Sequence, residues 1–238
     1  MSRLLADGLA AAEAAKVVLG SPDRETIAGE PGEIVRELSS ALEHLDAEVA
    51  DRILDRALAT LAFETVAEEV VLPVLRKIGE GWSRGTVTVS QEHFASNLLR
   101  GRLLALARGW ANGIGPPAVL ACPPGEQHDL GLIIFGLALR RQGWRVVYLG
   151  PDTPVGSVAK TALEVDASAV VMASLSAERL GAYRSELREL GSVRTLAIGG
   201  PPEVIALAEE VGARPLEGGL VAEAKRLGSL VSPGSQRH

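Results

Sequence analysis

Ala118-Val119-Leu120-Ala121-Cys122-Pro123-Pro124-Gly125-Glu126-Gln127-His128-Asp129-Leu130-Gly131 is the stretch on which the fold turns. Its first four residues are a short apolar run, and a second run, 132–139, follows it and is long enough to continue a helix. A histidine flanked by two carboxylates therefore lies on a strand-to-helix turn. In parallel α/β sheets that turn sits at the carboxyl end of the strands, where ligands bind. An imidazole there can ligate a metal, with Glu126 or Asp129 hydrogen-bonding its second nitrogen and fixing the tautomer. The same residues also read as a helix-entry histidine beside a capping aspartate, and the loop alone does not separate the two readings.

Towards the C-terminus, short β-branched runs alternate with helix-like segments. The runs are 118–121, 146–149, 169–173 and 195–198, with Arg214-Pro215-Leu216 as a short last strand; helices are expected over 130–141, 155–164 and 180–190. This alternation predicts a doubly wound parallel sheet.

Towards the N-terminus the period becomes helical. From Glu33 to about Trp110 the sequence predicts four helices, carrying Ile34, Leu38 and Leu42; Ile53, Leu54 and Leu58; Val70, Val74 and Ile78; and Ala95, Leu99 and Leu103. Pro73 marks a kink in the third, Gly79 and Gly81 its frayed end, and Thr88 with Gln91 a capping box for the fourth. Four helices with short connections make a small bundle. Before it, 1–20 reads as an amphipathic helix with charges at Asp7, Glu13 and Lys16, not as a signal peptide, and 21–32 as a linker. The expected domains are thus 1–32, a bundle over 33–112, an α/β domain over 116–231 and a polar tail over 232–238.

The 238 residues are 47% hydrophobic and 23% charged, an ordinary globular composition. A net charge of -6 argues against a stand-alone nucleic-acid binder, which needs a basic face. No apolar run is long enough for a membrane span. The single cysteine, Cys122, excludes an internal disulfide and fits the cytoplasm; at the end of a buried strand it reads as an inert, packed thiol. His44 and His238 read as solvated surface residues.

Three turns at strand ends share small residues: 126–131, Ser174-Leu175-Ser176 and Gly199-Gly200. Alone, each is an ordinary tight turn; together they suggest a slot beside the sheet, topped by a histidine. Glu126-x-His128-x-x-Gly131, Ser174-Leu175 and Gly199-Gly200 resemble the Asp-x-His-x-x-Gly, Ser-x-Leu and Gly-Gly signature of cobalamin-binding domains. Glu126 replaces the usual aspartate, and no residue separates Ser174 from Leu175. In the bundle, Trp82 followed by Glu92-His93 resembles the Trp…Glu-His motif of CarH-type adenosylcobalamin photoreceptors. Pro123 to His128 and Tyr148 to Pro154 are similar to the same group, and the likeness covers nearly all the chain from Glu33.

The resemblance implies a Rossmann-like, flavodoxin-like α/β domain behind a four-helix bundle. It implies a bound adenosylcobalamin, with His128 as the lower axial ligand of cobalt and Glu126, Asp129 and Gly131 completing its loop. Ser174, Leu175, Gly199 and Gly200 line the slot for the nucleotide tail. Trp82 caps the upper face, Glu92 hydrogen-bonds the adenosyl ribose, and His93 takes cobalt's upper position after photolysis. Taken without the likeness, Trp82 reads as a bundle-end residue and Glu92-His93 as a solvated first helical turn.

Typical members carry a MerR-type DNA-binding module ahead of the bundle, which this sequence does not include, although 9–15 resembles the helix that follows it; the chain reads as either a stand-alone sensor or the sensory portion of a longer regulator. The expectation is a regulatory, non-enzymatic, light-responsive protein that does not grip DNA by itself. Its output is an oligomer change, as dimer or tetramer, or binding to a protein partner. A bilin is a candidate second chromophore, for which buried Cys122 is a poor covalent anchor. The competing reading is a corrinoid methyl carrier serving methyltransferases, which needs an open upper face.

Overall fold

The computed structural model describes residues 29–230. The helix expected over 1–20, most of the linker and the tail at 232–238 lie outside them. The chain divides into two compact units between Glu92 and His93.

In the first unit, α1 (Pro31–Glu43) packs on α2 (Ala47–Thr60), burying Ile34, Leu38 and Leu42 beside Ile53 and Leu54. Pro31 occupies the first turn of α1, where its fixed φ suits the helix and its missing N–H costs nothing. The helix thus begins inside the expected linker. Asp46 caps α2 by accepting from the Val49 N–H at 3.0 Å. Next come α3 (Phe63–Thr65), a π-helical segment Val66–Val71 and α4 (Leu72–Ser83). Just before Pro73, where the sequence predicts a kink, the helix winds more widely. The Leu72 N–H reaches back five residues to the Ala67 carbonyl, and Pro73, which has no N–H to give, falls in the first turn of α4. Gly79 and Gly81 lie within α4 and do not mark a frayed end; the helix stops at Ser83, before Gly85 at φ 72°.

The capping box of α5 (Val89–Leu106) is present: the Gln91 N–H donates to Thr88 Oγ1 at 3.2 Å, and the Thr88 N–H to Gln91 Oε1 at 2.8 Å. Gln91 Nε2 also donates to the Glu43 carbonyl at 2.6 Å, tying the start of α5 to the end of α1. The division between units falls in the first turn of α5 and not beyond residue 112. The physical reason lies further along this helix, where Arg100 is ion-paired to a buried aspartate of the α/β unit.

In the second unit, β1 (Pro117–Ala121), β2 (Arg145–Gly150), β3 (Ala169–Ala173), β4 (Thr195–Gly199) and β5 (Arg214–Leu216) form a parallel sheet in the order β2-β1-β3-β4-β5. β1 is buried throughout, as its uninterrupted apolar run requires of a strand covered on both faces. Val119 and Ala121 join one core with α7 (Val155–Glu164), α9 (Arg184–Val193) and α10 (Pro202–Glu210). Leu120 faces the other way, towards α6 (Leu130–Arg141), on which α11 (Leu220–Leu230) packs.

The helix expected over 180–190 is two helices, α8 (Ala177–Gly181) and α9. Ser176 caps the first through the Arg179 N–H, and Arg184 Nη1 closes it by donating to the Gly181 carbonyl at 2.7 Å. Among the described residues no helix is long and apolar enough to cross a membrane.

Candidate functional site

The strand order reverses between β1 and β3, and in open α/β sheets ligands bind outside the carboxyl ends of the strands at that point. The histidine loop leaves β1 there and the Ser174-Leu175-Ser176 turn leaves β3. The end of β2 braces the loop from one side. The Cys122 N–H donates to the Gly150 carbonyl at 2.9 Å, the Thr153 N–H to Cys122 at 3.0 Å and the Asp152 N–H to Glu126 at 3.0 Å. Gly125, at φ 77°, adopts a left-handed backbone that favours glycine, and its N–H donates to Asp152 Oδ1 at 2.7 Å.

Glu126 is fully buried. Its Oε1 accepts from the His128 N–H at 3.1 Å and faces His128 Nδ1 at 2.6 Å. Its Oε2 accepts from Ser174 Oγ at 2.9 Å, the Leu175 N–H at 2.8 Å and Arg179 Nη1 at 2.8 Å. Burial by itself pushes this carboxyl up. The donors from Leu175, His128 and Ser174 outweigh burial and hold it at about 2. An ionised carboxylate only accepts, so His128 Nδ1 carries the proton of this hydrogen bond, which is the tautomer that leaves the Nε2 lone pair for a ligand. That imidazole is 66% exposed. The loop therefore presents one nitrogen of fixed tautomer at the switch point.

Asp129 does not share this task. It is 2% exposed, and its Oδ2 accepts from Arg100 Nε at 2.8 Å and from the Tyr148 hydroxyl. It stands at the N-cap of α6, but its side chain caps nothing. Burial and the bond to Asp129 push the Tyr148 phenol up; burial opposes the Arg100 charge, but Asp129 outweighs it and raises that guanidinium. Cys122 is buried, and its thiol is pushed up to about 12 by burial and by the charges of Asp129 and Glu126, which leaves it inert.

Ser174 is buried with its hydroxyl spent on Glu126, so it acts on the loop, while Leu175 stands exposed beside it. Gly200 serves packing: a Cβ there would collide with the Ser174 carbonyl and Val204. Gly199 meets Leu216, and Gly131 faces Leu220 in the first turn of α6. In the helical unit Trp82 is 54% exposed near the end of α4, and Glu92 is half-buried in the first turn of α5. His93, beyond the division, is exposed. A groove of about 660 Å³ between α1 and α2, lined by Ser40, His44, Val49 and Arg52 among others, contains none of the expected site residues.

The sequence reading missed Arg179, Arg100 and Tyr148. A signal existed for the first: a buried carboxylate requires a cationic partner, and Arg179 lies five residues beyond Ser174 at the adjacent strand end. Nothing local pointed to Arg100, which comes from a helix 29 residues away in the chain.

Residues 34–107 match the family described as a B12 binding domain. The HTH-type transcriptional repressor CarA of Myxococcus xanthus is 32% identical over 184 residues, covering 77% of this chain and 62% of that protein. The HTH-type transcriptional repressor CarH of the same organism is 34% identical over 203 residues, covering 79% of this chain and 68% of that protein. The chain thus spans a little under two thirds of the first relative's length and slightly over two thirds of the second's. Among solved structures, the monomethylamine corrinoid protein of Methanosarcina barkeri is matched over 85% of this chain and 100% of its own, with a TM-score of 0.70. At 17% identity that likeness is one of fold.

Proposed function

The chain belongs to the CarH-like family of cobalamin-binding proteins, and from that premise we propose that it is a light-sensing regulator that holds adenosylcobalamin by His128. The observation that carries this reading is the imidazole at the β1/β3 switch point, with Nδ1 locked on buried Glu126 and the ring exposed. The donor set fits the cofactor. A corrin brings most of cobalt's ligands with it, and a neutral imidazole suits the position that remains.

Bound adenosylcobalamin supplies a carbon–cobalt bond that light breaks. The residues of this chain prepare for it. His128 would offer Nε2 to cobalt, Glu126 holds the proton at Nδ1, and Arg179, Ser174 Oγ and the Leu175 N–H hold Glu126. Trp82 offers an exposed indole face on which an adenine can stack. Glu92 would be the partner of the cofactor's ribose, and His93 would be a second imidazole available to cobalt. The output is a change in the helical unit or in self-association that regulates a partner. The relatives named as transcriptional repressors support regulation. The solved corrinoid protein shares only the fold, which leaves methyl carriage without an observation of its own.

The test is the visible spectrum of dark-purified protein with adenosylcobalamin, before and after green light. The expected result is a histidine-ligated spectrum that converts irreversibly on illumination. Binding without a light-driven change would sink light sensing, and no binding would sink the whole reading.

A further inference from the structure

The buried carboxylate next to the histidine, Asp129, has no part in fixing the imidazole, and its partners point elsewhere. From Arg100 Nε–Asp129 Oδ2 at 2.8 Å and Gln91 Nε2–Glu43 O at 2.6 Å, we infer that Arg100 is a positioning residue coupling the His128 loop to the start of α5. The inference deepens the proposed role of His128, since it says how capture of a ligand there reaches the helical unit.

The argument is geometric. Asp129 follows His128 directly in the chain, so the loop cannot move without moving it. Its carboxylate forgoes the helix-capping role open to an aspartate at that position and accepts from Arg100 and Tyr148 instead. Tyr148 belongs to β2 and is backed edge-on by Trp110, with ring centroids 5.4 Å apart, which makes it a fixed post. Arg100 belongs to α5, the helix whose first turn falls in the other compact unit. From Arg100 back to Gln91 is nine residues, about two and a half turns or roughly 13 Å of continuous helix. Gln91 is fastened to the last residue of α1. One rod is thus pinned near its start within the helical unit and again at Arg100 within the α/β unit. A shift of the loop held back at Tyr148 passes to α5 through Arg100.

Amide hydrogen exchange tests this on the full chain, first without cobalamin. Arg100→Met is expected to raise exchange roughly ten-fold or more both over 126–131 and over 89–95, as loss of a charge-assisted bond to a buried group should. Tyr148→Phe removes the other donor to Asp129 and the hydroxyl beside Arg100 but leaves the Arg100–Asp129 ion pair, and should raise exchange over 126–131 more than over 89–95. Arg100→Lys, which keeps the charge but not the planar donor, should fall between wild type and Met at both segments. If Arg100→Met does not fold, the Lys and Phe variants carry the comparison. Exchange over 89–95 that ignores Arg100, or that responds equally to Tyr148→Phe, would overturn the inference. With hydroxocobalamin added, wild type should gain protection at both segments and Arg100→Met only over 126–131. Wild type that binds no cobalamin would overturn the proposed function, and the cobalamin-free comparison would still decide the role of Arg100.

Discussion

The His128 loop and the Trp82–His93 stretch are built on opposite principles. Around His128, the carboxylate that sets the imidazole is buried and satisfied: Glu126 is inaccessible and takes donors from His128, Ser174, Leu175 and Arg179. Trp82, by contrast, stands 54% exposed on α4, and His93 is exposed on α5. The loop is ready before any ligand arrives, and its rigidity comes from the sheet that carries it. The helical residues offer surface that a ligand can order.

The largest effect expected is that of Glu126→Ala. It strands the Arg179 guanidinium, the Ser174 hydroxyl and the Leu175 N–H at once, and should cost about 3–5 kcal/mol of stability in denaturant titration. A cost below about 1 kcal/mol would break the contrast between the two regions. Acid should act on the same group. Glu126 is held at about 2, against an ordinary 4.5, so its contribution is present above pH 4.5 and is lost as pH falls from there through 2. That contribution is about 3 kcal/mol, and Glu126→Gln should flatten the pH dependence of unfolding across this window. Next in size is His128→Ala. The side chain is exposed, so stability should change by less than about 0.5 kcal/mol, whereas cobalamin affinity should fall at least ~10- to 100-fold in a spectroscopic titration. The smallest effect is that of Trp82→Ala on the cobalamin-free fold, within about 0.5 kcal/mol. A melting-temperature loss typical of a core tryptophan would mean that the helical side is also built in advance.

Much of this architecture was legible in the residues. Uninterrupted apolar runs gave the strands within a residue or so, because a parallel strand buried on both faces has no polar alternation to confuse its limits. Thr88 and Gln91 marked the start of α5 because a capping box is a local device. What failed to read was non-local or compensatory. Pro73 announced a disturbance of the helix, but not its form, a π-helical segment just before the proline. The break between α8 and α9 depends on Arg184 folding back onto Gly181, which no period reveals. The histidine and its two carboxylates were visible as a cluster. Their division of labour was not, since it follows from where Arg179 and Arg100 arrive in space.

The most direct test of the central claim is electron paramagnetic resonance of the bound cobalamin in its cobalt(II) state, with the chain labelled with nitrogen-15 histidine. If His128 holds cobalt from below, the nitrogen superhyperfine pattern should change from a triplet in unlabelled protein to a doublet in labelled protein. An unchanged triplet would mean that the cofactor keeps its own base, and that the imidazole so carefully held by Glu126 does not ligate the metal.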